Sequence, residues 1–186
     1  MKGHLSIMSH RLGLVAVAAV VGVLLGPATA VGTGSHRVRL GSTTGTPSGN
    51  VCSAGIRCTY VPASPTRLRV PTNGTVTRFS VNAGSAGGTV WLRVLRPAGG
   101  GKFTAVSTSP PETLNVGMNS FAVTLRVKKG DVIGLDNATS ALIFDTSSAT
   151  AVTDYYEPAL KKGHTAAPTA AQTGSRLLLS ATVSQS

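Results

Sequence analysis

The sequence predicts an all-β fold: a single antiparallel β-sandwich of jelly-roll-like topology with eight to nine strands. Three observations carry that expectation. Residues 119–136 read NSFAVTLRVKKGDVIGLD, in which Phe121, Val123, Leu125 and Val127 alternate with Ala122, Thr124 and Arg126. A period of two turns one face of a strand inward and the other toward water. Short runs of the same kind recur along the chain between turn residues. The composition is rich in Val, Thr, Ser and Gly, poor in Glu and Lys, and has hardly any stretch of helical periodicity.

Taken in order, Lys2 and Arg11 precede an uninterrupted apolar run of 14 residues, 12–25, followed by Pro27-Ala28-Thr29-Ala30. This is the pattern of an export signal with a small-x-small cleavage site. The run is shorter than the roughly 20 residues a membrane-spanning helix needs, so no membrane span is expected after cleavage. The mature chain then starts near Val31 and is secreted. Removal of residues 1–30 leaves a charge of 17 − 2 − 6, or +9 with histidine neutral. Such a charge favours anionic partners as a general field without defining a site.

Residues 31–50, rich in Gly, Ser and Thr, are expected to be a flexible leader. Cys52 and Cys58 follow as Cys-x5-Cys. In an exported chain they are expected to form a disulfide, and closing so small a loop contributes about 2.4 kcal/mol. Two thiols and the nearby His36 are too few for a metal site, and no metal or cofactor is expected.

Residues 51–186 are expected to form the sandwich domain. Strands are predicted at 66–70, 76–81, 89–96, 103–107, 119–127, 132–135, 141–145, 152–156 and 176–183, with turns at their Pro, Gly and Asn residues. Residues 119–135 read as a hairpin whose turn is Lys128-Lys129-Gly130-Asp131. Residues 156–174, broken by Pro158 and Pro168, are expected to be an irregular, exposed connection before a closing strand.

The triplet Leu-Arg-Val occurs at 68–70, 92–94 and 125–127. Alternation predicts that Arg69, Arg93 and Arg126, together with Arg78, sit on outer sheet faces. With Lys128 and Lys129 they would form a basic stripe, which is either a solvated face that discourages edge pairing or a binding surface. Trp91, the single tryptophan, shares a face with Arg93 and Leu95, while Val90, Leu92 and Val94 point the other way. A strand apolar on both faces is expected to be central and covered on its outer side by a loop or the closing segment. The alternative is an exposed ring that stacks on a sugar beside Arg93, extended by Tyr60, Tyr155 and Tyr156.

Catalytic constellations are sparse. The mature chain has only His36 and His164 for a serine triad. A glycosidase pair would have to come from Glu112, Asp131, Asp136, Asp145, Asp154 and Glu157, each of which a turn, loop or strand end accounts for. Nucleic-acid signatures are missing too, so no specific nucleic-acid partner is expected.

At residues 89–136, TVWLRVLRPAGGGKFTAV and FAVTLRVKKGDVIGLDN resemble a group of uncharacterised secreted β-sandwich proteins of high-GC actinobacteria. The resemblance covers roughly residues 60–145 and implies a fold and an extracellular location. It implies no activity and no site residue. The reading that follows is a secreted, non-catalytic module that binds an anionic glycan or cell-wall polymer through Arg69, Arg93, Arg126, Lys128 and Trp91. Its alternatives are a structural or protein-interaction domain, and a carboxylate-dependent hydrolase.

Overall fold

A computed structural model describes residues 36–65, 67–138 and 141–185. It is all-β. In chain order the strands are β1 Arg37–Ser42, β2 Cys58–Ser64, β3 Gly74–Ala83, β4 Thr89–Gly99, β5 Lys102–Thr108, β6 Glu112–Thr113, β7 Gly117–Val127, β8 Val132–Asn137, β9 Phe144–Asp145, β10 Val152–Tyr156, β11 Thr165–Ala166, β12 Ala170–Thr173, β13 Arg176–Leu177 and β14 Leu179–Gln185. Fourteen strands among the described residues exceed the eight to nine expected, because five of them have only two to four residues. Runs that short leave no alternating pattern to read.

One sheet has the order β1-β14-β3-β7, and a larger one has the order β11-β5-β4-β8-β2-β10-β12, with β6 beside β4. The first sheet alternates with the second along the chain and sets the first strand beside the last. Without the short strands and β10, this is the jelly-roll arrangement. The main core fills the space between the sheets. Phe79, Val81 and Val123 face Tyr60, Leu92, Ile133 and Leu135 there, and Leu179, Ala181 and Val183 of the closing strand join them as expected. Tyr60 meets Phe144 edge-on, with ring centroids 4.9 Å apart.

Residues 119–135 do not form a hairpin. β7 pairs with β3, whereas β8 lies between β4 and β2 in the other sheet. The turn between them is a corner from one sheet to the other. Gly130 turns there with φ +89°, and the Asp131 carboxylate accepts the backbone N–H of Lys128 at 2.8 Å. A tight turn has the same local chemistry in a hairpin and in a corner. What distinguishes β8 is burial of every residue along it, the property of a central strand covered on both faces.

Within β8, Gly134 passes under β2 so closely that an added Cβ would lie 2.5 Å from the Tyr60 carbonyl oxygen and 2.9 Å from Leu95 Cδ1. Gly134→Ala is therefore expected to cost about 1–3 kcal/mol, the range for overpacking a core. Urea denaturation measures it, and an unchanged midpoint would contradict the packing described.

The leader expected over residues 31–50 is in part a strand. Residues 31–35 lie outside the described residues, as does the export signal, but β1 pairs with β14 over six residues. Val38 and Leu40 turn toward the core while Arg37 and Arg39 face solvent. Four residues of alternation are easily lost in a Gly/Ser/Thr-rich surround. Conversely, residues 67–70 are joined to the sheet only by a single bridge from Arg69 to Val132, although Leu68 and Val70 are buried. Of 141–145, only Phe144 and Asp145 are strand.

The larger sheet is curled. β11 pairs with β5 at one edge and β12 with β10 at the other, yet only residues 167–169 connect them. Four Cα steps reach at most about 14 Å, whereas six strand spacings across a flat sheet amount to about 29 Å. The two edges must therefore approach each other. Inside the curl lies a second core of Val61, Leu95, Phe103, Ala105, Val132, Tyr156 and Leu160. The connection expected to be merely exposed is what closes it. Leu160 is buried there, its N–H donates to Thr59 Oγ1 at 3.1 Å, and Gly163 N–H donates to the Ala105 carbonyl at 2.8 Å. The prediction that a loop covers the outer face of β4 is thus met by residues 157–166.

Two phenols are held neutral by these cores. Burial raises the pKa of Tyr60 above its ordinary value, and burial with the Asp154 carboxylate nearby pushes Tyr156 up to about 12. Because folding raises both pKa values, the stability these groups contribute is intact below pH 10. The Tyr156 share is lost as pH rises from 10 through about 12, and the Tyr60 share at higher pH still. Alkaline spectrophotometric titration of the folded chain is expected to show both phenols ionising above the ordinary tyrosine range, Tyr156 near pH 12. Ionisation of all three tyrosines near pH 10 in a folded chain would contradict it.

Candidate functional site

Two cationic regions stand out, and they divide the residues that the sequence singles out. The first is built on the curled sheet. Cross-strand register sets Trp91 of β4 beside Asp136 of β8, and Asp136 beside Thr59 of β2. Asp136 is fully buried and accepts four hydrogen bonds. Arg57 Nε donates at 2.9 Å and Nη2 at 2.6 Å to one oxygen. Thr59 Oγ1 at 2.7 Å and Arg93 Nε at 2.9 Å donate to the other. The Arg57 guanidinium lies over the Trp91 ring, 3.7 Å from its centroid.

Arg93 is therefore not an outward-facing cation. It is 4% exposed, ion-paired to Asp136, and donates its remaining nitrogens to Thr108 Oγ1 and the Leu160 carbonyl. Alternation placed it correctly on the outer face, but that face is covered. Trp91 is half-buried with one ring face taken by Arg57. Tyr60 and Tyr156 are buried and Tyr155 packs against the main core, so they do not extend a stacking platform. Above the pair lies a cleft of about 540 Å³ whose charged lining is Arg57, Arg93, Lys161 and Lys162.

The second region is the outer face of the four-stranded sheet and its end. Arg126 is exposed as predicted, and so are Arg69 and Lys128. Arg126 and Lys128 line one cleft of about 640 Å³ with Arg96. Arg69 bonds the Gly130 carbonyl at 3.2 Å, at the same turn. Arg78 also faces outward. Sequence reasoning missed Arg37 and Arg39, because the segment carrying them looked structureless.

Strand register arranges this face in rows. Arg39, Thr182, Arg78 and Ala122 are successive neighbours, as are Arg37, Ser184, Thr75 and Arg126. A third row is Gly41, Ser180, Ser80 and Ser120. Arg39 bonds Ser180 Oγ at 3.1 Å and Arg78 bonds Ser120 Oγ at 3.1 Å, so these guanidiniums are steered by hydroxyls. None of the four strands contains an acid.

The chain's acids lie elsewhere. Asp131 is paired with Arg96, Asp136 with Arg57 and Arg93, Asp145 with Arg176, and Asp154 with Arg67. The hydroxyl and N–H of Ser147, helped by Arg176, hold the Asp145 carboxyl below its ordinary range. Glu157 approaches Cys52 and Cys58, whose sulfurs are bonded to each other as expected and offer no thiolate to a metal. A smaller pocket of about 350 Å³, walled by Leu68, Leu177 and Leu179, opens beside Arg176.

No family model, curated protein or solved structure matches this chain. Among the described residues, no helix is long and apolar enough to cross a membrane.

Proposed function

We propose that this protein is a secreted, non-catalytic binding module for an anionic cell-surface or wall polymer, which lies across the outer face of the four-stranded sheet. The observation that carries this reading is the segregation of charge. Five arginines are paired with acids. Arg37, Arg39, Arg78 and Arg126 have no acidic partner among the described residues, and all four project from strands that lack acids. Along a strand, Arg37 and Arg39 stand about 7 Å apart, and neighbouring strands add about 5 Å each. The result is an extended cationic grid, bordered at one end by Lys128 and Arg69, that suits repeated negative charges rather than one small ligand.

Four of the six acids being held by arginines counts against a carboxylate-dependent hydrolase. A protein-interaction role draws support from β7, an eleven-residue edge strand with Met118 exposed beside Val116. The readings separate on purified wall polymers and a glycan array, probed at low and high salt. Retention at low salt that is lost at high salt is the expected result. No retention at either salt would remove the polymer reading.

A further inference from the structure

The cleft over Trp91 lies on the other sheet and its chemistry differs from that of the cationic grid. Its charged lining is four cations without an acid, above one buried carboxylate already shared by two of them. Arg93 is saturated by Asp136, Thr108 and Leu160. Ser109 Oγ is committed as well, accepting from Leu92 N–H and donating to the Pro110 carbonyl. Arg57 is different. Two of its nitrogens are fixed by Asp136 and its plane by the indole, while Nη1 has no protein partner among the described residues. Lys161 and Lys162 are exposed on the segment anchored by Leu160.

A buried ion-pair network taken whole is weak evidence for stability, since replacing all of its members by apolar groups is often neutral or better, even though removing the carboxylate alone is costly. Here the carboxylate has a second effect: it fixes one guanidinium edge in a cleft that the exposed Lys161 and Lys162 also line. A fixed guanidinium edge and clustered ammoniums match a group with several acceptor oxygens and close to two negative charges. A carboxylate, with two oxygens and one charge, would engage fewer of these donors. The volume of about 540 Å³ lies in the range of small-ligand sites.

We propose that this cleft is a second binding site, for a phosphate monoester. Arg57, Lys161 and Lys162 contact the oxyanion, and Asp136 and Arg93 act as positioning residues that hold Arg57 over the indole. The proposal does not depend on the polymer reading.

Trp91 is the only tryptophan, so its fluorescence reports the cleft directly. The full chain is titrated with inorganic phosphate, inorganic sulfate, glucose 6-phosphate and acetate at constant ionic strength. A saturable change in emission is expected for the first three, with half-saturation at least tenfold lower than for acetate. Lys161→Ala with Lys162→Ala, both exposed positions, is expected to weaken binding at least tenfold without moving the thermal midpoint. No saturable change, equal affinity for acetate, binding of the inorganic ions but not of the ester, or an unaltered response in the double variant would each overturn the proposal.

Discussion

Asp136→Ala is expected to destabilise the domain by about 3–5 kcal/mol, the range for removing one partner from a buried ion pair. The carboxylate is fully buried and accepts four hydrogen bonds from three side chains. Alanine would leave the Arg93 charge, itself 4% exposed, without a counter-ion beneath Leu160. Arg57, partly exposed, can turn to water, so Arg93 dominates the cost. A loss of this size is a large share of the 5–15 kcal/mol that holds a typical domain together. Urea denaturation of the single variant should show it. Replacing Asp136 and Arg93 together by apolar residues of similar volume should recover much of it, because no charge is then stranded. A single-variant loss below 1 kcal/mol would contradict the network.

The second large effect concerns binding. Changing Arg37, Arg39, Arg78 and Arg126 together to serine is expected to weaken attachment to an anionic polymer roughly a thousandfold at low salt. Each cation near an anionic surface contributes about 1 kcal/mol, and about 4 kcal/mol corresponds to three decades of affinity. The difference should shrink as salt screens the charges. Stability should barely change, because all four side chains are exposed and none has an acidic partner among the described residues. Equal retention of variant and parent would place the interaction elsewhere.

The three Leu-Arg-Val triplets show how far alternation reaches. In all three, the apolar residues turn inward, and Arg69 and Arg126 are exposed. At Arg93 the rule still assigns the correct face, but whether that face meets water depends on residues 157–166, far along the chain. Trp91 and Leu95 gave a local hint, because a strand apolar on both sides must be covered. The partner of Arg93 was not legible, since Asp136 comes alongside only through the β4–β8 register. The hairpin failed for a related reason: β7 and β8 each look correct, and only long-range pairing decides that their turn joins different sheets. The acid-free face was half visible, through Arg78 and Arg126. Its other half rested on β1, whose two inward residues, Val38 and Leu40, gave too short a period to stand out.

The most direct test of the central claim is a map of backbone amide shifts as a sulfated or uronate oligosaccharide is added at low salt. Perturbations are expected to run across β1, β14, β3 and β7 at Arg37, Arg39, Arg78, Ser80, Ser120 and Arg126, and to fade as salt is raised. Shifts confined to residues outside these four strands, or none at millimolar oligosaccharide, would contradict it.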